Sequence, residues 1–80
     1  MGPEATVALL QRIQAGILAS DDADHVPLLV DLNPQVPSRI QHLIEKTGPN
    51  PGPVIAEMAV RLETAGAEAL ILPCNTAHHY

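Results

Sequence analysis

The residues able to do chemistry concentrate in one stretch, Leu72-Pro73-Cys74-Asn75-Thr76-Ala77-His78-His79-Tyr80, at the end of the 80 residues. It holds the only cysteine and two of the four histidines. The apolar run Ala69 to Leu72 before it reads as a buried strand, and Asn75-Thr76 reads as the start of a helix. A thiol at such a junction faces backbone amides, which favour a thiolate and would equally favour a bound carboxylate. With an ordinary pKa of about 8.5, it could then ionise near neutral pH and act as nucleophile or general base. Other readings of Cys74 stay open on the residues alone. It can be an inert core cysteine, since free Cys packs as a small hydrophobe, although the Pro, Asn, Thr and His around it do not continue a core strand. It can bind a metal with His78 and His79, but no convincing third ligand accompanies them. It can also be the nucleophile of a thiol hydrolase working with a nearby histidine.

Composition narrows the partners. A chain of 80 residues allows one domain, and one of this size buries only about 60% of its unfolded surface. The hydrophobic fraction of 46% suffices for a core, but an aliphatic one, with one Tyr and no Phe or Trp. Base stacking and sugar platforms need aromatic faces. The net charge of −5, with Arg12, Arg39, Lys46 and Arg61 scattered, argues against a nucleic-acid partner. One cysteine excludes an internal disulfide and fits a reducing cytoplasm. No apolar run approaches the roughly 18 residues of a membrane span. The opening Met1-Gly2-Pro3-Glu4 lacks the basic region of a signal peptide. The expectation is a soluble, cytoplasmic, small α/β protein.

The elements that would position the cysteine follow from periodicity. Pro3 and Glu4 suit a helix's first turn. Val7, Leu10, Ile13 and Ile17 then predict an amphipathic helix of about four turns, ending near Gly16 to Ala19. Ser20 to Asp24 is an acidic turn without the spacing or glycine of a calcium loop. Val26 to Leu32 reads as a buried strand, with Pro27 tolerated at its start or on an edge. Asp31 and Asn33 fall where it runs out into Pro34 to Pro37, and ligands bind beyond such strand ends in open α/β sheets. Ser38 or Asn33 would start a second helix with core face Ile40, Leu43 and Ile44. Arg39 would stand in its first turn, where a cation opposes the helix dipole. Gly48 to Pro53 is a turn-rich connection. Val54, Ile55, Met58, Ala59 and Leu62 predict a third helix, stopped by Gly66, with Met58 as core filler. Ala69 to Leu72 is the second strand.

This alternation predicts a parallel sheet with crossover helices, a flavodoxin-like or Rossmann-like three-layer α/β half domain over residues 1–80. Two strands fall short of a self-sufficient sheet. The chain also opens on a helix where a βα unit would have a strand. The expectation is therefore an incomplete half domain, lacking its first strand and a second half.

Three motifs carry a resemblance. Pro73-Cys74-Asn75-Thr76-Ala77-His78 resembles the first cysteine motif of the aspartate/glutamate racemase family, nearest its aspartate racemase branch. Met1-Gly2-Pro3-Glu4-Ala5-Thr6 resembles the family's opening segment, which there follows a first strand. Asp31-Leu32-Asn33-Pro34-Gln35-Val36-Pro37-Ser38-Arg39 resembles its middle motif. The resemblance implies racemisation without a cofactor, in which one cysteine removes the α-proton of aspartate or glutamate and a second donates from the opposite face. Cys74 matches the first. Asn75, Thr76 and Ala77 would hold the substrate's α-carboxylate, and Arg39 would bind an acidic carboxylate and help keep the thiol ionised. Asn33 and Met1 would border the substrate, while His78 falls in the motif without an assigned role. The family's second cysteine belongs to a second α/β half, and a homodimer is implied for the full-length protein. Because this chain has one cysteine, a non-catalytic carboxylate-binding or interaction remnant stands as the alternative. Decarboxylases and isomerases of the same fold widen the deprotonation chemistry available.

Overall fold

Pro3 brings a fixed φ and no amide to satisfy, and Glu4 meets the positive end of the helix dipole. Helix α1 follows as Pro3–Ala15 and closes at Gly16, whose N–H bonds to the Arg12 carbonyl. In the computed structural model, which describes residues 1–80, its apolar stripe is rotated from the expected one. Leu9, Leu10 and Ile13 border a central groove, and Val7 is exposed. Helix α2, Gly52–Thr64, starts behind Pro51 and carries Pro53 in its first turn. It stops as the sequence predicts. Gly66 takes φ 107°, a left-handed conformation open to glycine. Its N–H bonds to the Glu63 carbonyl and that of Ala67 to Leu62, both at 3.0 Å, which is a Schellman closure.

The acidic turn folds on itself. Asp24 Oδ2 accepts from the amides of Ser20 (2.9 Å) and Asp21 (3.1 Å), and Asp21 Oδ1 accepts from Asp22 (2.8 Å). The carboxylates of Asp21 and Asp24 are thus engaged in capping backbone.

The second expected helix is only a five-residue π-type turn, Ile40–Ile44. The Ser38 hydroxyl does start it, accepting from the Gln41 amide at 3.1 Å. A single turn closed by an i→i+5 bond is too short to bury a continuous apolar stripe. Ile40 and Ile44 are exposed, and Leu43 alone is half-buried. Lys46, at φ 57°, and Gly48, at φ 73°, then turn the chain away.

No β-strand forms, and the expected parallel-sheet α/β half domain is overturned. Val26 to Asn33 and Leu70 to Leu72 run without turn or bend, as extended chain, yet neither pairs with another strand. Apolar runs supply strand propensity, but a strand exists only through a ladder partner. Here the two segments border a common groove of about 610 Å³ and are not hydrogen-bonded to each other. Arg61 of α2 fastens the first segment through Asp31 Oδ2, with Nε at 2.9 Å and Nη2 at 2.7 Å.

The groove leaves the molecule open. Its radius of gyration is 14.7 Å, against about 12 Å for a compact chain of this length. Only Val36, Pro51, Met58 and Ala77 are buried. No helix is long and apolar enough to cross a membrane.

Candidate functional site

The extended segments end among loops that are tied to one another. The Met1 amine donates to the Asn33 carbonyl at 3.3 Å, and Asn33 Nδ2 approaches Met58 Sδ at 3.9 Å. His42 Nδ1 lies 2.6 Å from the Tyr80 hydroxyl. The Tyr80 ring also lies close to Gly52 at the start of α2. Both extended segments therefore run toward the same end, where Met1, residues 33–39 and residues 74–80 assemble.

Cys74 is placed by its neighbours in sequence. Pro73, with φ fixed by its ring, sits at the centre of a three-residue turn closed by the Cys74 amide on the Leu72 carbonyl at 2.8 Å. His78 Nε2 reaches the same carbonyl at 2.9 Å. A carbonyl only accepts, so this nitrogen carries the proton and His78 acts as a strut for the loop. The helix expected at Asn75 is a single 3₁₀ turn, Thr76–His79, too short for a substantial dipole. Asn75 is exposed, and its carbonyl receives the His78 amide at 3.2 Å.

The thiol is half-buried, with Sγ 3.5 Å from Thr76 Oγ1. Burial pushes its pKa up. The Thr76 hydroxyl, the Ala77 amide and the charge of Arg39 more than offset this, and the thiol ionises below its ordinary range. Arg39 is itself held by its own loop, Nη1 donating to the carbonyls of Pro37 (3.0 Å) and Val36 (3.3 Å). Its Nε is buried and has no partner in the chain. An unpaired buried donor is rare in folded proteins.

The expected residues therefore form two clusters. Cys74, Thr76, Ala77 and Arg39 interact electrostatically. Met1 and Asn33 are bonded to each other, and Asn33 Oδ1 accepts the Gln35 amide at 2.9 Å. No hydrogen bond joins the clusters. The structure adds a pair that the sequence did not suggest, His42 and Tyr80, whose ring centroids lie 5.6 Å apart. Thirty-eight residues separate them, so no local pattern signals the contact; only the uniqueness of Tyr80 could have drawn notice.

Cys74 thus lies within the electrostatic reach of Arg39, whose charge helps to lower its pKa. The family model for Asp/Glu/hydantoin racemase matches residues 1–80, and the chain belongs to that family. Membership supports a racemase-type function and binding of an amino-acid substrate.

Proposed function

We propose that Cys74 is a proton-transfer base of a cofactor-independent racemase acting on acidic amino acids. The observation that carries this reading is the lowered thiol pKa, produced by Thr76, Ala77 and Arg39 against the opposing effect of burial. In the step assigned to it, the Cys74 thiolate takes the α-hydrogen: the Cα–H bond breaks, an S–H bond forms, and the electron pair delocalises into the α-carboxylate. Asn75, Thr76 and Ala77 hold that carboxylate as its charge grows. Preorganised donors of this kind contribute roughly 3 kcal/mol each to the transition state. Arg39 binds the side-chain carboxylate of aspartate or glutamate, and Met1 and Asn33 border the substrate. Inversion requires an acid on the opposite face of Cα. This chain has one cysteine, so the reading assigns the second acid to a group outside these residues, with a homodimer as part of the same reading.

One base suffices to exchange the α-hydrogen without inversion. The full chain is incubated with aspartate or glutamate in heavy water, without cofactor, and the α-proton resonance is followed. Loss of that resonance, abolished by Cys74→Ala, is the expected result. Exchange untouched by the substitution contradicts the reading. The single cysteine also favours a second reading, a carboxylate-binding protein without turnover. Binding of aspartate with no exchange would establish that one instead.

A further inference from the structure

Two short turns carry the residues that act on the thiol, and each is tied together internally. In the first, Arg39 Nη1 is held by the carbonyls of Val36 and Pro37. Ser38 ties this turn forward: its hydroxyl accepts the Gln41 amide at 3.1 Å, and its carbonyl accepts the His42 amide at 3.2 Å. His42 therefore moves with Arg39. In the second turn, Thr76 Oγ1 lies 3.5 Å from Cys74 Sγ, and the Ala77 carbonyl accepts the Tyr80 amide at 3.0 Å. Tyr80 therefore moves with Thr76 and Ala77. Apart from the approach of Arg39 to the thiol itself, one hydrogen bond joins the two turns, between His42 Nδ1 and the Tyr80 hydroxyl at 2.6 Å. The Tyr80 ring is braced for this contact. The His79 ring meets it edge-on, with centroids 5.1 Å apart, and a Cβ on Gly52 would stand 3.7 Å from Tyr80 Cδ1.

We propose that His42 and Tyr80 are positioning residues for the proton-transfer base: their bond latches the turn of Arg39 to the turn of Cys74 and so fixes the guanidinium beside the thiol. The physical reason is that a charge acts through its separation, and the effect weakens as the separation grows. Arg39 is bound to carbonyls of its own turn, so its distance from Cys74 is set by how the two turns are held together. The latch does not depend on the protonation of His42. A neutral imidazole accepts from the Tyr80 hydroxyl at Nδ1, and a protonated one donates to its oxygen. This inference deepens the reading of Cys74 as a base and rests on it; neither His42 nor Tyr80 is assigned a contact with substrate.

The test is iodoacetamide alkylation of Cys74 against pH in the full chain, which needs no substrate and so stands or falls separately from α-hydrogen exchange. Tyr80→Phe removes the hydroxyl and keeps the ring. It should raise the midpoint of the profile and slow alkylation at pH 7 about twofold, the low end of what one hydrogen bond shifts an equilibrium. Simple loosening of the loop would instead expose the half-buried thiol and speed the reaction. His42→Leu should reproduce the Tyr80→Phe profile, whereas His42→Asn, which keeps a polar atom near the place of Nδ1, should restore most of the rate. Because the latch acts through the cation, Tyr80→Phe should change nothing further in an Arg39→Met background. The proposal is overturned if Tyr80→Phe leaves the profile unchanged or speeds alkylation, if His42→Asn is as slow as His42→Leu, or if Tyr80→Phe slows the reaction equally with and without Arg39.

Discussion

Around Cys74, polar bonds fix one loop after another: Arg39 on two carbonyls, His78 on Leu72, His42 on Tyr80 and the Met1 amine on Asn33. Buried Val36 and Ala77 lie in these segments, and buried Met58 approaches Asn33. Along Val26 to Leu32 the backbone makes no hydrogen bond, and its leucines and valines stand half in water. The contrast teaches that the geometry of the site comes from the chemistry of its loops, not from a sheet beneath them. Proline turns, short side-chain-to-carbonyl bonds and a few buried side chains suffice to bring the thiol and the guanidinium together.

Truncation should separate the two regions most clearly. Met58→Ala removes a buried side chain from the fastened end and should cost about 2–5 kcal/mol. That is a large share of the roughly 4–12 kcal/mol expected for a chain of this size. Leu29→Ala, half-exposed at the groove, should cost well under about 2 kcal/mol, the scale of burying a whole leucine. Urea unfolding of both variants checks the difference, and equal losses would erase the distinction between the regions.

Arg39→Met tests the electrostatics of the fastened end. Losing the cation should raise the Cys74 pKa and slow iodoacetamide alkylation at pH 7 several-fold. An unchanged rate would mean that Thr76 and Ala77 alone hold the thiolate.

Two smaller effects concern how the extended segments are anchored. Gly66→Ala forces a side chain onto φ 107° between α2 and the second segment, and thermal unfolding should show a loss of about 1 kcal/mol or more. Asp31→Asn breaks the exposed pair with Arg61 and should cost no more than about 1 kcal/mol. That loss should shrink further at high salt.

Much of the local structure was legible in the sequence because local chemistry determines it. Pro3 and Glu4 mark the start of α1, Gly66 marks the end of α2, and Ser38 begins the turn at Ile40. The nearness of Cys74 and Thr76 follows from two residues of separation. The sheet was misread for a physical reason. Leu28-Leu29-Val30 and Leu70-Ile71-Leu72 carry the composition of buried strands, but pairing depends on what lies beside them in space. The π-type turn escaped for a related reason: spacings of three and four suit an α-helix, and nothing local announced the wider winding. The use of Arg39 on its own loop carbonyls, and the His42–Tyr80 contact, depend on the tertiary path and have no signature in spacing.

Ionisation of Cys74 tests the fastened end most directly. A group whose pKa is lowered on folding stabilises the fold above its unfolded pKa, and that contribution is lost as pH falls through the lowered folded value. The measurement is the rate of Cys74 alkylation against pH in the folded chain and in the chain unfolded in guanidinium chloride. The folded midpoint should lie below the unfolded one, with Thr76, Ala77 and Arg39 outweighing burial. A folded midpoint equal to or above the unfolded one would contradict the assignment of Cys74 as a proton-transfer base.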